Sequence, residues 1–499
     1  MKNRKKVLII GGGVAGMTAA IYAAEAGFSC DIFEKQASPG GNLTGWKRDG
    51  YTIDNCMHWL TGTHPQSSLY TLWQKTGMLR EEISLHREEH LYESEWEGKR
   101  LALDASPEKT RRKMWALSPA DHREIDRLID TVLAVIPWMT GGTIPEKAKL
   151  IPHLPDLLFY RRTDLYTLAD RFRHPLLRLL MTDYIGGEYS AAALIAAYAA
   201  FASGNGSLPA GGSPAAAERM RQTCLQKGCR FYTGVPVRRI VVRNGIATGI
   251  LTADGAFFPA DELIAACDPQ VTFGKLLPAE WMPEAMKERL KNPDIPAFSS
   301  LHAAFSCDRA AIRPFGTRII PAPYFSSRSG GRLPVREYSS EPSFAPPGKT
   351  ILQTLVFQTR EESLEWISLS GDPSLYRARK EAVGEEMRRA IARHFPEASP
   401  SLRLLDVWTP ATYRGYFGNP CGAYLSFAMT PHTPLSRLPR HTPHVRNLVL
   451  ATQWLTSPGG LPSAALAGKQ AAEELAEEHS LIPTENPVGG LPTFPQNAG

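Results

Sequence analysis

The sequence predicts an α/β fold in which a parallel-sheet domain is interleaved along the chain with an α+β domain. Three observations predict it. A short apolar run, Val7-Leu8-Ile9-Ile10, passes straight into glycines and then an alanine-rich stretch, the order strand, tight turn, helix. A second such junction lies near the other end, where Asn447-Leu448-Val449-Leu450 is followed by Pro458-Gly459-Gly460-Leu461. Between them, alternating apolar runs and helix-spaced leucines follow one another with no internal repeat.

Composition bounds the reading. The chain has 499 residues, 43% hydrophobic and 21% charged, which excludes wholesale disorder and allows two to four domains. A net charge of +6 over this length does not call for a polyanionic partner, so nucleic acid is not expected. The cysteines at 30, 56, 224, 229, 267, 307 and 421 form no CxxC pair and no Cys/His cluster. They read as reduced thiols of a cytoplasmic protein, with neither a metal site nor a disulfide framework. No span suits a bilayer: the uncharged run after Tyr189 is broken by Gly204, Pro209 and Gly211-Gly212. The basic start (Lys2, Arg4, Lys5, Lys6) before an apolar run mimics a signal peptide, but three consecutive glycines interrupt it.

The first junction carries the most chemistry. Gly11-Gly12-Gly13-Val14-Ala15-Gly16 fits G-x-G-x-x-G between the strand and the helical stretch Met17–Gly27. Gly11 allows the tight turn, Gly13 lets backbone approach a pyrophosphate, and Gly16 permits close helix–strand packing. The free N–H groups and the dipole at the helix start attract phosphate. A strand at Ser29–Phe33 ends in Glu34, 18 residues beyond Gly16, placed to accept hydrogen bonds from a ribose diol. A carboxylate there repels a 2′-phosphate. The domain is therefore expected to be Rossmann-like and to bind a dinucleotide. Lys35 follows, and then Gly40-Gly41-Asn42, a glycine pair six residues after the ribose acid.

These segments resemble the phytoene desaturase, carotenoid isomerase and retinol saturase-like family of the flavin amine oxidase superfamily. The glycine doublet resembles the loop that runs along the FAD diphosphate there, although Asn42 stands where many members have Arg. The strand and loop Gly50–Leu60 resemble a segment beneath the flavin, with Asp54 and His58 in matching places; a hydrogen-bonded structural role for His58 stays open. The hairpin strands Val235–Val242 and Ile246–Thr252 resemble the second FAD segment, in which the backbone at a valine like Val237 holds the adenine edge. Asn419-Pro420-Cys421-Gly422-Ala423-Tyr424 resembles the step that returns to the flavin. Gln453-Trp454 and Pro458-Gly459-Gly460-Leu461-Pro462 resemble the closing strand end and helix start, with Thr452 where glycine is usual.

The resemblance implies a fold of the glutathione-reductase type. The FAD-binding domain would comprise 1–64, 201–290 and 421–480. A helical substrate or lid region would occupy 65–200, and a substrate-domain sheet and helix 291–420. The tail 481–499 is expected to be disordered. FAD would be held by Gly11, Gly13, Val14, Ala15, Gly16, Glu34, Lys35, Gly41, Asn42, Val237, Gln453, Gly460 and Leu461. His58, Tyr424 and Asp54 are the candidates beside the reacting atoms. The implied activity is FAD-dependent oxidoreduction at C–C or C=C bonds of an apolar polyene or isoprenoid lipid: desaturation, saturation or isomerisation through hydride exchange at flavin N5. The alternative is a flavin amine oxidase with Trp454 as one wall of an aromatic cage, and a third reading is an FAD-binding protein without activity. The basic N-terminus and Arg161, Arg162, Arg171, Arg173 and Arg178 admit peripheral contact with anionic lipid at the inner face of a membrane.

Overall fold

Strand Lys6–Ile10 is almost wholly buried and lies at the centre of a five-stranded parallel sheet. The order across that sheet is Arg230–Thr233, Ser29–Glu34, Lys6–Ile10, Glu262–Ala265 and Leu448–Leu450. Segments more than 400 residues apart in sequence thus share one sheet, with Leu263 of the strand between them opposite Leu448. The computed structural model describes residues 4–323 and 330–480. The expectation of a disordered tail falls on 481–499, outside the described residues.

Two helices cover one side of this sheet. Val14–Glu25 follows the first strand, and Leu461–Glu478 follows the last. They approach closely because Gly468 lacks a side chain: a Cβ there would lie 2.2 Å from the carbonyl oxygen of Ala15. Val237–Arg243, Ile246–Thr252 and Phe257–Pro259 form a separate antiparallel three-stranded sheet.

The second large sheet has seven strands. Its order is Arg403–Trp408, Ser299–Asp308, Lys349–Gln358, Arg332–Glu337, Thr317–Pro321, His90–Trp96 and Lys99–Asp104. One face packs Leu301, Phe305, Val335 and Leu352 with Val383, Met387 and Ile391 of the long helix Pro373–His394. The opposite face carries His302, Gln353, Leu355, Arg336 and Ile319 and looks into a cavity.

One expectation changes. The region 65–200 is not only helical: its hairpin His90–Asp104 completes the seven-stranded sheet. Its stretch 165–184 holds two short helices, Leu165–Ala169 and Pro175–Thr182, broken where Pro175 starts the second. A proline in the first turn of a helix costs no hydrogen bond, whereas in its interior it would.

Candidate active site

A cavity of about 940 Å³ runs from the edge of the parallel sheet to the inner face of the seven-stranded sheet. At the first end two glycine loops lie back to back. Gly40 N–H donates to Gly12 O, and Gly41, at φ +59°, sits so close that a Cβ would lie 3.1 Å from Gly13 Cα. The left-handed backbone and the lack of room both require glycine at 41.

Two helix N-termini open onto this cavity. Gly13 caps the first helix and Gly460 the last, and neither supplies a side-chain acceptor for the free N–H groups. Uncapped helix starts facing a cavity leave donors for a ligand's negatively charged oxygens. A third helix, Gly212–Gln226, is different. Asp54 accepts from Ser213 N and Ser213 Oγ, each at 2.6 Å, and from Met57 N and Cys56 N, each at 2.9 Å.

Twelve of the expected cofactor residues share the cavity wall: Gly11, Gly13, Val14, Ala15, Glu34, Lys35, Gly41, Asn42, Val237, Gln453, Gly460 and Leu461. Glu34 is buried at the end of its strand, and its two oxygens accept from Gly12 N at 2.8 Å and Gln36 N at 2.9 Å. Lys35 donates to Gly415 O at 3.1 Å, and burial lowers its pKa. Asn42 is braced by Asn55, whose Nδ2 donates to Asn42 Oδ1 at 3.0 Å. Gln453 ties two segments together: its amide donates to Tyr424 O, and its oxygen accepts from Gly460 N at 2.7 Å. Gly16 lies off the wall, since a Cβ there would sit 1.9 Å from Gly11 O. It serves packing and not contact.

Of the three residues expected beside the reacting atoms, His58 and Tyr424 line the cavity and Asp54 does not. Asp54 is a correction: its bonds hold the loop after its own strand and the start of a helix. His58 is held neutral, its pKa pushed down to about 3 by burial and the nearby Arg336 charge. Tyr424 Oη bonds Ser300 Oγ at 2.8 Å, and burial keeps the phenol protonated. The turn that delivers it is fastened by Asn419, whose Oδ1 accepts from Cys421 N and Ala423 N while its Nδ2 donates to Asp268. Burial raises Asp268 to about 6. Thr452 has φ −142°, an extended conformation open to any residue, so glycine is not needed there.

The sequence did not single out the aromatic and polar groups on the far wall. His302 stacks on Trp408 with ring centres 4.7 Å apart and meets Tyr413 Oη at 3.0 Å. Trp59 Nε1 donates to Tyr184 Oη at 2.8 Å. Trp59, Tyr184, Phe298, Ile319, Leu355 and Phe357 make this part of the cavity mainly apolar. Arg332 there is paired with Asp183, which is buried. His302, Ile319, Leu355 and Phe357 come from the sheet face, while Trp59 follows strand Tyr51–Asp54 and Tyr184 follows helix Pro175–Thr182, so only the folded chain brings them together.

A family profile described as "Flavin containing amine oxidoreductase" matches residues 14–476. The chain belongs to that family. The family and the two uncapped helix starts agree on a flavin dinucleotide, and the cofactor is FAD. Prolycopene isomerase of Arabidopsis thaliana is 23% identical, with 95% of this chain and 83% of the relative covered. The 4,4'-diapolycopene oxygenase of a Methylomonas species is also 23% identical, over 95% of this chain and 99% of the relative. An oxidoreductase from Methanosarcina mazei has the same fold, with a TM-score of 0.61 at 17% identity over 95% of this chain and 100% of the other. Cyclohexylamine oxidase from Brevibacterium oxydans superposes with a TM-score of 0.58 at 15% identity, over 96% and 100% of the two chains.

Tyr424 on the cavity wall stacks on the buried Tyr413 behind it, with ring centres 4.8 Å apart. Trp454 packs edge-on against Phe427. The lysines on the wall, Lys35 and Lys275, stand together at the Glu34 end.

Proposed function

We propose that this protein is an FAD-dependent oxidoreductase acting on carbon–carbon double bonds of an apolar polyene or isoprenoid lipid. The observation that carries this reading is the apolar chamber continuous with the FAD cradle. The relatives named for carotenoid substrates support it. Bound FAD supplies hydride exchange with the substrate at its flavin ring. The chain's part is binding, orientation and exclusion of water. Gly13, Gly41 and the first-helix N–H groups would receive the diphosphate, and Glu34 the ribose. Val237 would border the adenine. The start of helix Leu461–Glu478 would face the flavin ring, where its dipole stabilises negative charge. His58 and Tyr424 would wall the reacting bond as neutral groups, and neither holds a mobile proton near neutral pH.

The substrate's solubility suggests where the protein works. No helix among the described residues is long and apolar enough to cross a membrane. Trp138, Ile144, Ile151, Leu154, Leu158 and Tyr166 are nevertheless exposed in one stretch, Ile144 at 85%. Lys149 and Arg162 are exposed beside them. Tyr166 is also on the cavity wall, so this surface adjoins the chamber. It is the better lipid-facing candidate than Arg161 and Arg171. Arg161 binds the carbonyls of Thr430, Pro431 and Thr433, and Arg171 is paired with Glu124. We place the protein in the cytoplasm, peripheral at the inner membrane face.

Mass spectrometry and chromatography of lipids from cells making the wild type or Gly13→Asp test the reading. A two-hydrogen mass difference, or a shifted isomer at constant mass, in one polyene is expected. Identical lipid profiles with FAD-loaded wild type would overturn it, and anaerobic bleaching of the flavin by amines would favour the alternative.

A further inference from the structure

Four oxidisable rings run in contact from the cavity to the surface. Tyr424, on the cavity wall, stacks on Tyr413. Trp408 Nε1 donates to Tyr413 Oη at 3.1 Å, and its ring meets that of Trp46 edge-on, with centres 5.0 Å apart. Tyr413 and Trp408 are buried, whereas Trp46 is partly exposed on strand Gly45–Arg48. The cavity end lies beside the start of the last helix, since Gln453 donates to Tyr424 O and accepts from Gly460 N. Stacked and edge-on rings are ordinary packing geometry. This row differs in having a base for the protons at each end.

A tyrosine gives up an electron readily only where its phenol proton can pass to a base. Among the described residues, four side chains bond the two phenols: Ser300 at Tyr424, and Asn55, Trp408 and His302 at Tyr413. His302 alone of these is a base, with Nε2 at 3.0 Å from Tyr413 Oη. The Thr354 backbone bonds the same ring in the sense that favours a ring proton, which leaves Nε2 to accept. At the outer end, an indole that has lost an electron is a strong acid. Trp46 Nε1 donates to Asp406 Oδ2 at 2.9 Å, and that carboxylate is held by Arg48 at 3.1 Å and by Val407 N at 2.8 Å.

The two tryptophans on the wall do not lead outward through the described rings. Trp454 packs on Phe427, which is not readily oxidised, and Trp59 leads through Tyr184 to Tyr92, which is fully buried. We propose that Tyr424, Tyr413, Trp408 and Trp46 form a one-electron path from the protein surface to light-excited FAD. One electron leaves Trp46 and one arrives on FAD, while the Trp46 indole proton passes to Asp406. The proton of Tyr413 moves to His302 and returns as the electron from Trp408 refills the ring. Back-transfer restores both ends. A one-electron reductant in solution, such as ascorbate, refills Trp46 instead, the proton returns from Asp406, and FAD stays reduced by one electron. The path needs FAD but not the lipid substrate.

A blue-light flash on the FAD-loaded full chain, without oxygen, lipid or added reductant, tests the path by transient absorption, with variants compared at equal FAD content. Wild type is expected to give reduced FAD together with a deprotonated tryptophanyl radical. Tyr413→Phe and Trp408→Phe should lose the radical, and Trp46→Phe should shorten its lifetime several-fold, because the missing electron then stays on Trp408. Asp406→Asn keeps the ring contacts and serves if an aromatic variant does not fold; its radical should deprotonate several-fold more slowly. Under steady light with ascorbate, FAD should be reduced several-fold faster in wild type than in Trp46→Phe. Absence of the radical in wild type, equal yield and lifetime in Tyr413→Phe and Trp46→Phe, deprotonation in Asp406→Asn as fast as in wild type, or equal rates of reduction with ascorbate overturns the path.

Discussion

At position 16 the backbone of the strand-to-helix turn leaves no space for a methyl group. Gly16→Ala would drive its Cβ to 1.9 Å from Gly11 O, and the turn must open to relieve it. A loss of roughly 2–3 kcal/mol is expected, read as a lower urea midpoint of the FAD-free protein. Position 58 gives a pH prediction. The imidazole is held near 3, below its ordinary value of 6.5. The unfolded chain therefore binds a proton there that the folded chain refuses, and the resulting stability, present above pH 6.5, is lost as pH falls toward 3. His58→Gln should show a smaller drop in urea midpoint between pH 7.5 and pH 5 than the wild type. Asp268 has the opposite sign. Its carboxyl, raised to about 6, favours the folded state at low pH, and that contribution fades as pH rises through 6. Asp268→Asn should lack this fading, so its midpoint relative to wild type should improve from pH 5 to pH 8. Asp268 was invisible as a site residue in sequence because its neighbour Asn419 lies far along the chain.

Among the elements, the helix starts divide by function. Those at Gly13 and Gly460 lack side-chain caps and face the cavity, while the one at Gly212 is filled by Asp54. Asp54→Ala would expose the Ser213, Met57 and Cys56 donors together. It should lower stability by about 2 kcal/mol in urea unfolding, and folded protein should still take up FAD to full stoichiometry by absorbance. An Asp54→Ala protein that keeps wild-type stability but loses turnover would restore the expectation of a catalytic role. Three strands of the parallel sheet were legible because both faces are buried and Val7–Ile10, Leu263–Ala265 and Leu448–Leu450 read as unbroken apolar runs. Thr317–Pro321 and Arg332–Glu337 were not. They carry Arg318, Arg332, Arg336 and prolines 321 and 334, which read as loop until a cavity and its ion pairs account for them. The hairpin at His90–Asp104 was hidden for another reason: the register shifts between His90 and Glu93, which breaks strict alternation.

For the whole molecule, the exposed apolar stretch 138–166 beside the chamber predicts contact with lipid surfaces. An Ile144→Asp, Leu158→Asp double variant should sediment with anionic vesicles several-fold less than wild type at equal FAD content. Equal sedimentation would show that this face does not meet the bilayer. What the sequence by itself determined is the cofactor end. A glycine turn, a helix start and an acid at a fixed spacing are local devices, and the steric needs of a pyrophosphate act within a few residues of backbone. The chamber was decided only by tertiary structure. His302, Arg336, Gln353 and Tyr424 come from separate strands and a distant turn, and nothing in any one segment says which face of a sheet will be left open. A side chain's surroundings depend on what packs across from it, and that is set by strand order and register.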